Sequence, residues 1–257
     1  MDNLEQAHML LPNEKRIREG AFYTPGWVAA KGIEYLDKNF PGWQDDPNTY
    51  IWDPCCGTGN LIKPLSKLDR VFMSTLDLAE IGQVKNLGIF PEATLFQFDF
   101  LNGDYMDLPE TLKAVLEDET KRVIILMNPP YGESGTGVGQ SEKKAGISFT
   151  KVQEKMAEEG VGKAANELFN QFLYRCAKWA PRSPVAVFAT LKYTCATGSA
   201  PFRDTVWNYA AVDGFMVPGE TFLGVKGKFP ISFIIWIPDN LTINNGVDYH
   251  ENALVQA

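Results

Sequence analysis

Seven short apolar runs recur along the chain, and turn-forming residues bound each of them. They read TYIWDP at 49–54, VFMSTLDL at 71–78, ATLFQFDF at 93–100, RVIILMN at 122–128, PVAVFATLKY at 184–193, AVDGFMV at 211–217 and ISFIIWI at 231–237. Runs of this length, rich in Val, Ile, Phe and Thr, are typical of buried β-strands. We therefore predict seven strands.

Helix-like segments separate several of these strands. TPGWVAAKGIEYLDKNF precedes the first strand and ANELFNQFLYRCAKW precedes the fifth. In the second segment Leu168, Phe172 and Cys176 are spaced four residues apart, which gives one apolar helix face. The alternation predicts an α/β fold with a doubly wound, Rossmann-like and mostly parallel sheet. Ligands of such sheets bind beyond the carboxyl ends of the strands.

Length and composition fit a single α/β domain with a sizeable core, since the chain has 257 residues and 45% hydrophobic residues. No stretch of eighteen uncharged apolar residues occurs, and the charged N-terminus lacks a secretory signal. The four cysteines form no C-x-x-C pair. These features predict a cytoplasmic protein with reduced thiols and no membrane contact.

The chain has only two histidines, His8 and His250, which lie at its two ends. Their positions argue against a histidine-based nucleophile relay and against a His-rich zinc site, so we expect no metal. The net charge of −8 argues against a stand-alone nucleic-acid binder, which would carry a basic face.

A glycine turn follows the first predicted strand in DPCCGTGNL, residues 53–61, and precedes a predicted helix, NLIKPLSKL. Gly57 and Gly59 allow a tight turn and close approach of a ligand to the backbone. The turn lacks the G-K-[ST] ending of a triphosphate-binding loop. A nicotinamide dinucleotide stays an alternative, although Ile62 occupies the third glycine position of that motif.

Acidic residues end the next two predicted strands. Asp77 lies 20 positions after Gly57, about where doubly wound folds place the carboxylate that binds a ribose diol. Asp99 ends the third strand, where a carboxylate can accept a hydrogen bond from an adenine amino group. Each aspartate alone is compatible with a turn or a helix cap. Together they favour an adenosine-containing ligand.

The fourth strand ends in ILMNPPYG, residues 125–132. Asn128 and Pro129 each precede a proline, which favours an extended backbone, and the prolines offer no N–H. The pattern predicts a rigid strand exit that presents an amide side chain, a carbonyl and the ring of Tyr131. A purely structural rigid turn is the alternative. Residues 132–163, rich in Gly, Ser, Lys and Glu, follow as a mobile surface loop or a lid over a substrate.

In this order, these motifs resemble the amino-group DNA methyltransferases that use S-adenosylmethionine. DPCCGTGN is similar to their cofactor loop and NPPY to their catalytic tetrapeptide. REGAFYTP, at 18–25, is similar to an upstream segment that contacts the methionine end of the cofactor. GETFLGVKGKFPISFIIW, at 219–236, is similar to the segment that supplies an aromatic residue against the target base. The arrangement resembles type I modification subunits and fused restriction–modification enzymes.

The resemblance implies a class I methyltransferase fold, with seven strands of which the last is antiparallel. It also implies methyl transfer from S-adenosylmethionine to the N6 amino group of an adenine rotated out of DNA. The implied catalytic residues are Asn128, Pro129, Tyr131 and Phe222. The implied cofactor-binding residues are Tyr23, Thr24, Asp53, Cys55, Gly57, Gly59, Asp77, Asp99 and Phe100.

The chemistry accounts for the tetrapeptide. The adenine amino group has two N–H donors, and its lone pair is delocalised into the ring. Two acceptors, the Asn128 side-chain oxygen and the Pro129 carbonyl, would hold both donors and direct the lone pair at the methyl group. Tyr131 would stack on the extruded base, with Phe222 at its edge or opposite face.

The resemblance sets the predicted boundaries: a tail or helix over 1–20, a catalytic domain over 21–238 and a tail over 239–257. The last segment is too short for a DNA-reading domain, so we expect a DNA substrate with recognition supplied by a specificity subunit, a restriction subunit or a missing domain. Lys143, Lys144, Lys226 and Lys228 are candidates for local positive charge. Methylation of protein glutamine or RNA adenine stays an alternative, as does a non-catalytic cofactor-binding subunit.

Overall fold

The structure is a computed structural model that describes residues 23–132, 134, 149–222, 225 and 229–242. Several sequence predictions fall outside the described residues. These are the tail over 1–20 with the start of the upstream segment, most of the loop that follows the tetrapeptide, residues 243–257, both histidines, and the four lysines at 143, 144, 226 and 228.

Seven strands and eight α-helices form within the described residues. In chain order they are α1 (Gly26–Asn39), β1 (Thr49–Asp53), β2 (Val71–Thr75), α2 (Leu78–Leu87), β3 (Thr94–Gln97), α3 (Glu110–Glu117), β4 (Arg122–Met127), α4 (Lys151–Glu158), α5 (Leu168–Trp179), β5 (Val185–Thr190), α6 (Lys192–Cys195), α7 (Ala200–Thr205), β6 (Tyr209–Pro218), β7 (Pro230–Pro238) and α8 (Asp239–Thr242). Short 3₁₀ turns occur at Tyr105–Asp107, Gly162–Asn166, Thr197–Ser199 and Gly219–Thr221.

The strands form one sheet in the order β3-β2-β1-β4-β5-β7-β6. Pairing is parallel from β3 to β5, whereas β7 runs antiparallel to both of its neighbours. The predicted seven-stranded sheet with an antiparallel last strand is therefore confirmed. The strand order reverses direction between β1 and β4, and this is the switch point at which doubly wound sheets bind ligands.

Alternate residues of the central strands enter two separate cores. In β4, Ile125 and Met127 pack beneath α3, α4 and α5, whereas Ile124 and Leu126 pack beneath α1 and the glycine turn. Strands buried on both faces read as continuous apolar runs, which explains why β4 shows no polar alternation. The two cores hold β1 and β4 rigidly, and with them the sites where their chains exit.

Two sequence predictions about local structure are wrong. NLIKPLSKL forms a series of turns instead of a helix, because Pro64 offers no N–H and Ile62 and Leu65 bond the carbonyls three residues before them. The end of the predicted loop over 132–163 is not a surface excursion. Residues Lys151–Glu158 form α4, and its Val152 and Met156 are fully buried in the core.

Candidate active site at the carboxyl ends of β1 and β4

The chain exits from β1 and β4 lie side by side. The two strands are parallel neighbours with Trp52 paired to Ile125. The segments that begin at Asp53 and Asn128 therefore leave the same edge of the sheet, at its switch point. We call this region the switch-point site.

The glycine turn after β1 uses its two glycines differently. Both have left-handed backbones, with φ of +53° at Gly57 and +89° at Gly59. A Cβ on Gly59 would lie 2.4 Å from Phe90, so this glycine is needed for packing. A Cβ on Gly57 would meet only Glu80 Oε1, at 3.8 Å. The face of Gly57 is therefore open, and a ligand can approach its backbone there.

Asp53 is a buried carboxyl group that is only half satisfied. Its side chain is 1% exposed, Oδ1 accepts from the Cys55 backbone N–H at 3.1 Å, and Oδ2 has no hydrogen-bond partner within the described part of the chain. Burial raises the pKa of Asp53 to about 7. A buried carboxylate oxygen without a partner is costly, and a cationic group of a ligand would remove that cost.

Cys55 connects the glycine turn to the exit of β4. Burial, together with the neighbouring Asp53 carboxyl group, raises the pKa of the Cys55 thiol, while a hydrogen bond from the Asn128 backbone N–H lowers it. Asn128 therefore lies beside the cofactor-loop motif, as the sequence predicts for residues that act together.

Both arms of the Asn128 side chain have hydrogen-bond partners. Nδ2 donates to Thr24 Oγ1 at 2.9 Å, and Oδ1 accepts from the Tyr131 hydroxyl. Thr24 is 4% exposed, and the preceding Tyr23 is 7% exposed. The structure thus brings the upstream segment against the tetrapeptide, although 104 residues separate them in the chain.

Backbone hydrogen bonds also hold the residues that follow the tetrapeptide. Leu168 N–H, at the start of α5, donates to Gly132 O at 3.0 Å, and Ser134 N–H donates to Asn166 O at 2.8 Å. Tyr131 is half-buried and packs against the core beneath α1, and burial raises the pKa of its hydroxyl. The hydroxyl of Tyr131 therefore stays protonated and acts as a donor at neutral pH.

At the end of β2, the structure reveals a second carboxylate that sequence reasoning missed. Asp77 caps α2, because its Oδ1 accepts from Ala79 N–H at 2.8 Å. Glu80, in the first turn of α2, accepts from the Thr75 hydroxyl and borders Gly57. The D-x-x-E spacing of Asp77 and Glu80 is typical of a helix start, and this signal could have separated the two roles.

The two candidate residues after β3, Asp99 and Phe100, are both at least partly buried. Asp99 is half-buried and accepts from the backbone N–H groups of Leu101 and Asn102, at 3.1 and 3.0 Å. The Phe100 ring is 3% exposed and stacks on Phe172 with a centroid distance of 5.0 Å. The Phe100 side chain is therefore part of the core, and a role of this residue in cofactor binding stays a prediction.

Phe222 is likewise a core residue. Its side chain is 0% exposed and packs edge-on against Phe188 at 6.0 Å between ring centroids. The predicted contact of this ring with a target base is therefore not available in this conformation. Phe229, seven residues later in the same segment, is 39% exposed, and its carbonyl accepts from Gly219 N–H at 2.8 Å. Exposure, which the sequence does not give directly, distinguishes the two phenylalanines.

The described residues contain neither a candidate metal site nor a membrane-spanning helix. No group of three or more His, Cys, Asp or Glu side chains there could hold a metal ion. No helix in that part of the chain is long and apolar enough to cross a membrane.

The chain is similar in sequence to two modification methyltransferases, and no protein-family model matches it. It is 30% identical over 126 residues to the type II methyltransferase M.VspI of Vibrio sp. (strain 343), covering 45% of this chain and 26% of that protein. It is 22% identical over 166 residues to the modification methylase CviBIII of Paramecium bursaria Chlorella virus NC1A, covering 65% of this chain and 36% of that protein. The chain thus spans well under half the length of either relative.

Solved structures share the fold over most of the chain. The DrdV–DNA complex matches 90% of this chain and 28% of its own, with a TM-score of 0.62 and 16% identity. The type I restriction–modification methyltransferase subunit of Streptococcus thermophilus matches 85% of this chain and 44% of its own, with a TM-score of 0.59 and 17% identity. A protein of Listeria monocytogenes described as a class I S-adenosylmethionine-dependent methyltransferase matches 96% of this chain and 72% of its own, with a TM-score of 0.51 and 12% identity. The strand order and these likenesses together show that the chain has the class I methyltransferase fold.

Proposed function

We propose that the chain is the catalytic domain of a DNA methyltransferase of the restriction–modification type, which transfers a methyl group from S-adenosylmethionine to N6 of adenine. The observation that carries the proposal is the Asn128 carboxamide. It lies beside the glycine turn, with Nδ2 bonded to Thr24 and Oδ1 bonded to a hydroxyl group that a substrate amine can replace.

The residues at the switch-point site fit the cofactor. Oδ2 of buried Asp53, which has no hydrogen-bond partner among the described residues, suits the ammonium group of the cofactor's amino-acid end. The open face of Gly57 lets the cofactor approach the backbone of the turn. Asp77 and Glu80 provide carboxylates for the ribose diol, and Glu80 is the better placed because it borders Gly57. Tyr23, Cys55 and Asp99 complete the predicted cofactor site. When bound, S-adenosylmethionine supplies a methyl group that its sulfonium makes electrophilic.

Asn128 and Pro129 act on the nucleophile. Oδ1 of Asn128 accepts one N–H of the adenine amino group, and the Pro129 carbonyl accepts the other. With both donors held, the nitrogen becomes pyramidal and its lone pair points at the methyl group. Acceptors placed in advance need no rearrangement during reaction, which is the basis of electrostatic preorganisation.

Tyr131 holds the base. Its ring provides a stacking surface worth about 1–3 kcal/mol per base, which offsets part of the cost of unpairing the adenine. Phe222 is not part of this proposal, because its ring is buried. The exposed Phe229 is a candidate for the second aromatic contact.

DNA is the proposed substrate, and a partner subunit or domain is the proposed source of sequence recognition. The net charge of −8 gives the chain little affinity for phosphates by itself. The DrdV structure is a complex with DNA, and the Streptococcus thermophilus protein is a subunit of a type I restriction–modification system. Both likenesses support a catalytic domain that works with a recognition element.

The test is product analysis. The full-length protein, together with its recognition subunit or domain, is incubated with tritiated S-adenosylmethionine and with duplex DNA, RNA or a glutamine-containing protein substrate in separate reactions. The products are then digested and separated by mass. We expect N6-methyladenine from the DNA alone. Label in N-methylglutamine or RNA adenine would replace this proposal with one of its alternatives, and label in none of them would favour a non-catalytic subunit.

A further inference from the structure

We infer that Thr24 is a positioning residue that orients the carboxamide of Asn128, instead of serving mainly as a cofactor contact. The inference rests on the proposed function, since it concerns the same reaction. It assigns a role in turnover to a residue in the upstream segment, for which the sequence predicts only a role in cofactor binding.

The proposed reaction requires one orientation of an amide that has two unlike arms. The oxygen arm accepts hydrogen bonds and the amino arm only donates them. If the carboxamide rotated by half a turn, its amino group would face the amino group of the adenine, and two donors cannot bond each other. Orientation of Asn128 is therefore a condition for catalysis.

The structure assigns the amino arm to Thr24. Nδ2 of Asn128 donates to Thr24 Oγ1 at 2.9 Å, which leaves Oδ1 on the side of Tyr131. Thr24 is 4% exposed and immediately precedes Pro25, whose carbonyl accepts the first backbone hydrogen bonds of α1 from Val28 and Ala29. The Thr24 side chain is thus held next to a helix start, from which its hydroxyl anchors the carboxamide of Asn128.

Burial makes this contact costly to break. Buried polar groups are costly when they lose a partner, so an amide that left Thr24 would leave a buried hydroxyl unsatisfied. The carboxamide is therefore held against Thr24 before any substrate arrives, with Nδ2 as the arm that bonds the hydroxyl. A side chain fixed in advance in the reactive geometry raises the rate of reaction, and does not by itself strengthen cofactor binding.

The test compares Thr24→Val, which has the same shape without the hydroxyl, with Thr24→Ser, which keeps the hydroxyl. For Thr24→Val we expect the single-turnover methylation rate at saturating S-adenosylmethionine to fall on the order of 10- to 100-fold, with the cofactor Kd within about threefold of wild type. Thr24→Ser should recover the rate to within about threefold. The matched control is Thr49→Val, another buried threonine, whose hydroxyl donates to Asp46 at the opposite end of β1.

A rate unchanged in Thr24→Val would overturn the inference. So would a large loss of cofactor affinity with a normal rate at saturation, because that pattern belongs to a cofactor contact.

Nuclear magnetic resonance of [¹⁵N]asparagine-labelled protein gives a readout that needs no activity. We expect the Asn128 side-chain NH₂ signals, identified by their loss in Asn128→Ala, to exchange slowly with solvent in wild type and Thr24→Ser and fast in Thr24→Val. Slow exchange in all three proteins would contradict the positioning role, whether or not the wild type methylates DNA. Absence of methylation by the wild type, taken alone, would count only against the proposed function.

Discussion

The hydroxyl of Tyr131 donates to Oδ1 of Asn128, the oxygen that the proposed reaction needs as an acceptor. In the free protein this hydrogen bond helps to satisfy a polar atom in a half-buried site. A substrate amine can share this oxygen with the hydroxyl or replace it, because a carboxamide oxygen has two lone pairs. Tyr131 thus has two separable parts, a ring that can stack and a hydroxyl that can compete for the oxygen.

Replacement of Tyr131 should separate these parts. Tyr131→Phe keeps the ring and removes the competitor, so we expect methylation at least half as fast as wild type. Tyr131→Ala removes the ring and should lower kcat/KM for duplex DNA about 10- to 100-fold, as expected for a loss of about 1–3 kcal/mol of stacking. Steady-state kinetics with duplex DNA measures both. Equal losses in the two variants would show that the hydroxyl, and not the ring, contributes to the reaction.

Asp53 should make cofactor binding depend on pH. Its pKa in the folded protein is about 7, above its usual value of about 4, so the carboxyl group is neutral at pH 6 and ionised at pH 8. A cationic ligand group binds the ionised form better. We expect affinity for S-adenosylmethionine to rise from pH 6 to pH 8 in calorimetric titrations, and to lose this dependence in Asp53→Asn.

The same group should affect folding with the opposite sign. Because the pKa of Asp53 is raised in the folded state, the folded protein binds more protons than the unfolded chain between about pH 4 and pH 7. Its contribution to stability is therefore present below pH 4 and is lost as the pH rises through 7. Without cofactor, Tm should fall less steeply with pH in Asp53→Asn than in wild type. Parallel Tm profiles for the two proteins would contradict the raised pKa.

The two acidic residues after β2 should differ in what they support. Glu80→Gln removes charge beside Gly57, so we expect about a tenfold loss of affinity for S-adenosylmethionine with Tm nearly unchanged. Asp77→Asn keeps a good helix cap, so its effect on stability should be small. Calorimetric titration of both variants decides between the carboxylates. A larger loss of affinity in Asp77→Asn would return the ribose contact to Asp77.

The phenylalanines at 222 and 229 should behave in contrasting ways. Phe222→Ala empties a fully buried position and should cost about 3–5 kcal/mol of unfolding free energy. Phe229→Ala changes a partly exposed ring and should leave stability within about 1 kcal/mol, while lowering methylation if this ring contacts the base. Chemical denaturation and methylation assays on the two variants measure this. A stable but inactive Phe222→Ala would restore Phe222 to the base-binding site.

The fold was predictable because its determinants are local and repeated. Each apolar run is short and bounded by turns, and the central runs are buried on both faces, so all seven strands lie where the pattern places them. The predicted helix after Gly59 failed because Pro64 outweighs the apolar spacing around it. The start of the loop after Tyr131 lies within a polar region, but Val152 and Met156 mark one helix face four residues apart, and that signal places α4 in the core.

The candidate site was predictable at its centre and less so at its edges. Asn128 and the glycine turn follow directly from strands whose ends must meet, and the structure places them together. The burial of the Phe100 and Phe222 rings was not predictable, because a motif gives a position along the chain and not the direction of a side chain. Likewise, the contact between Thr24 and Asn128 depends on how α1 packs against the sheet, and no local pattern encodes that distance.

The most direct test of the central claim is a single-turnover methylation assay on Asn128→Ala, with cofactor affinity measured by calorimetry on the same preparation. The account predicts loss of methyl transfer to DNA by at least about 1000-fold, with the Kd for S-adenosylmethionine within about threefold of wild type, because the variant removes the side-chain acceptor for the adenine amine and keeps the glycine turn and Asp53. Methyl transfer within a few-fold of wild type would contradict it.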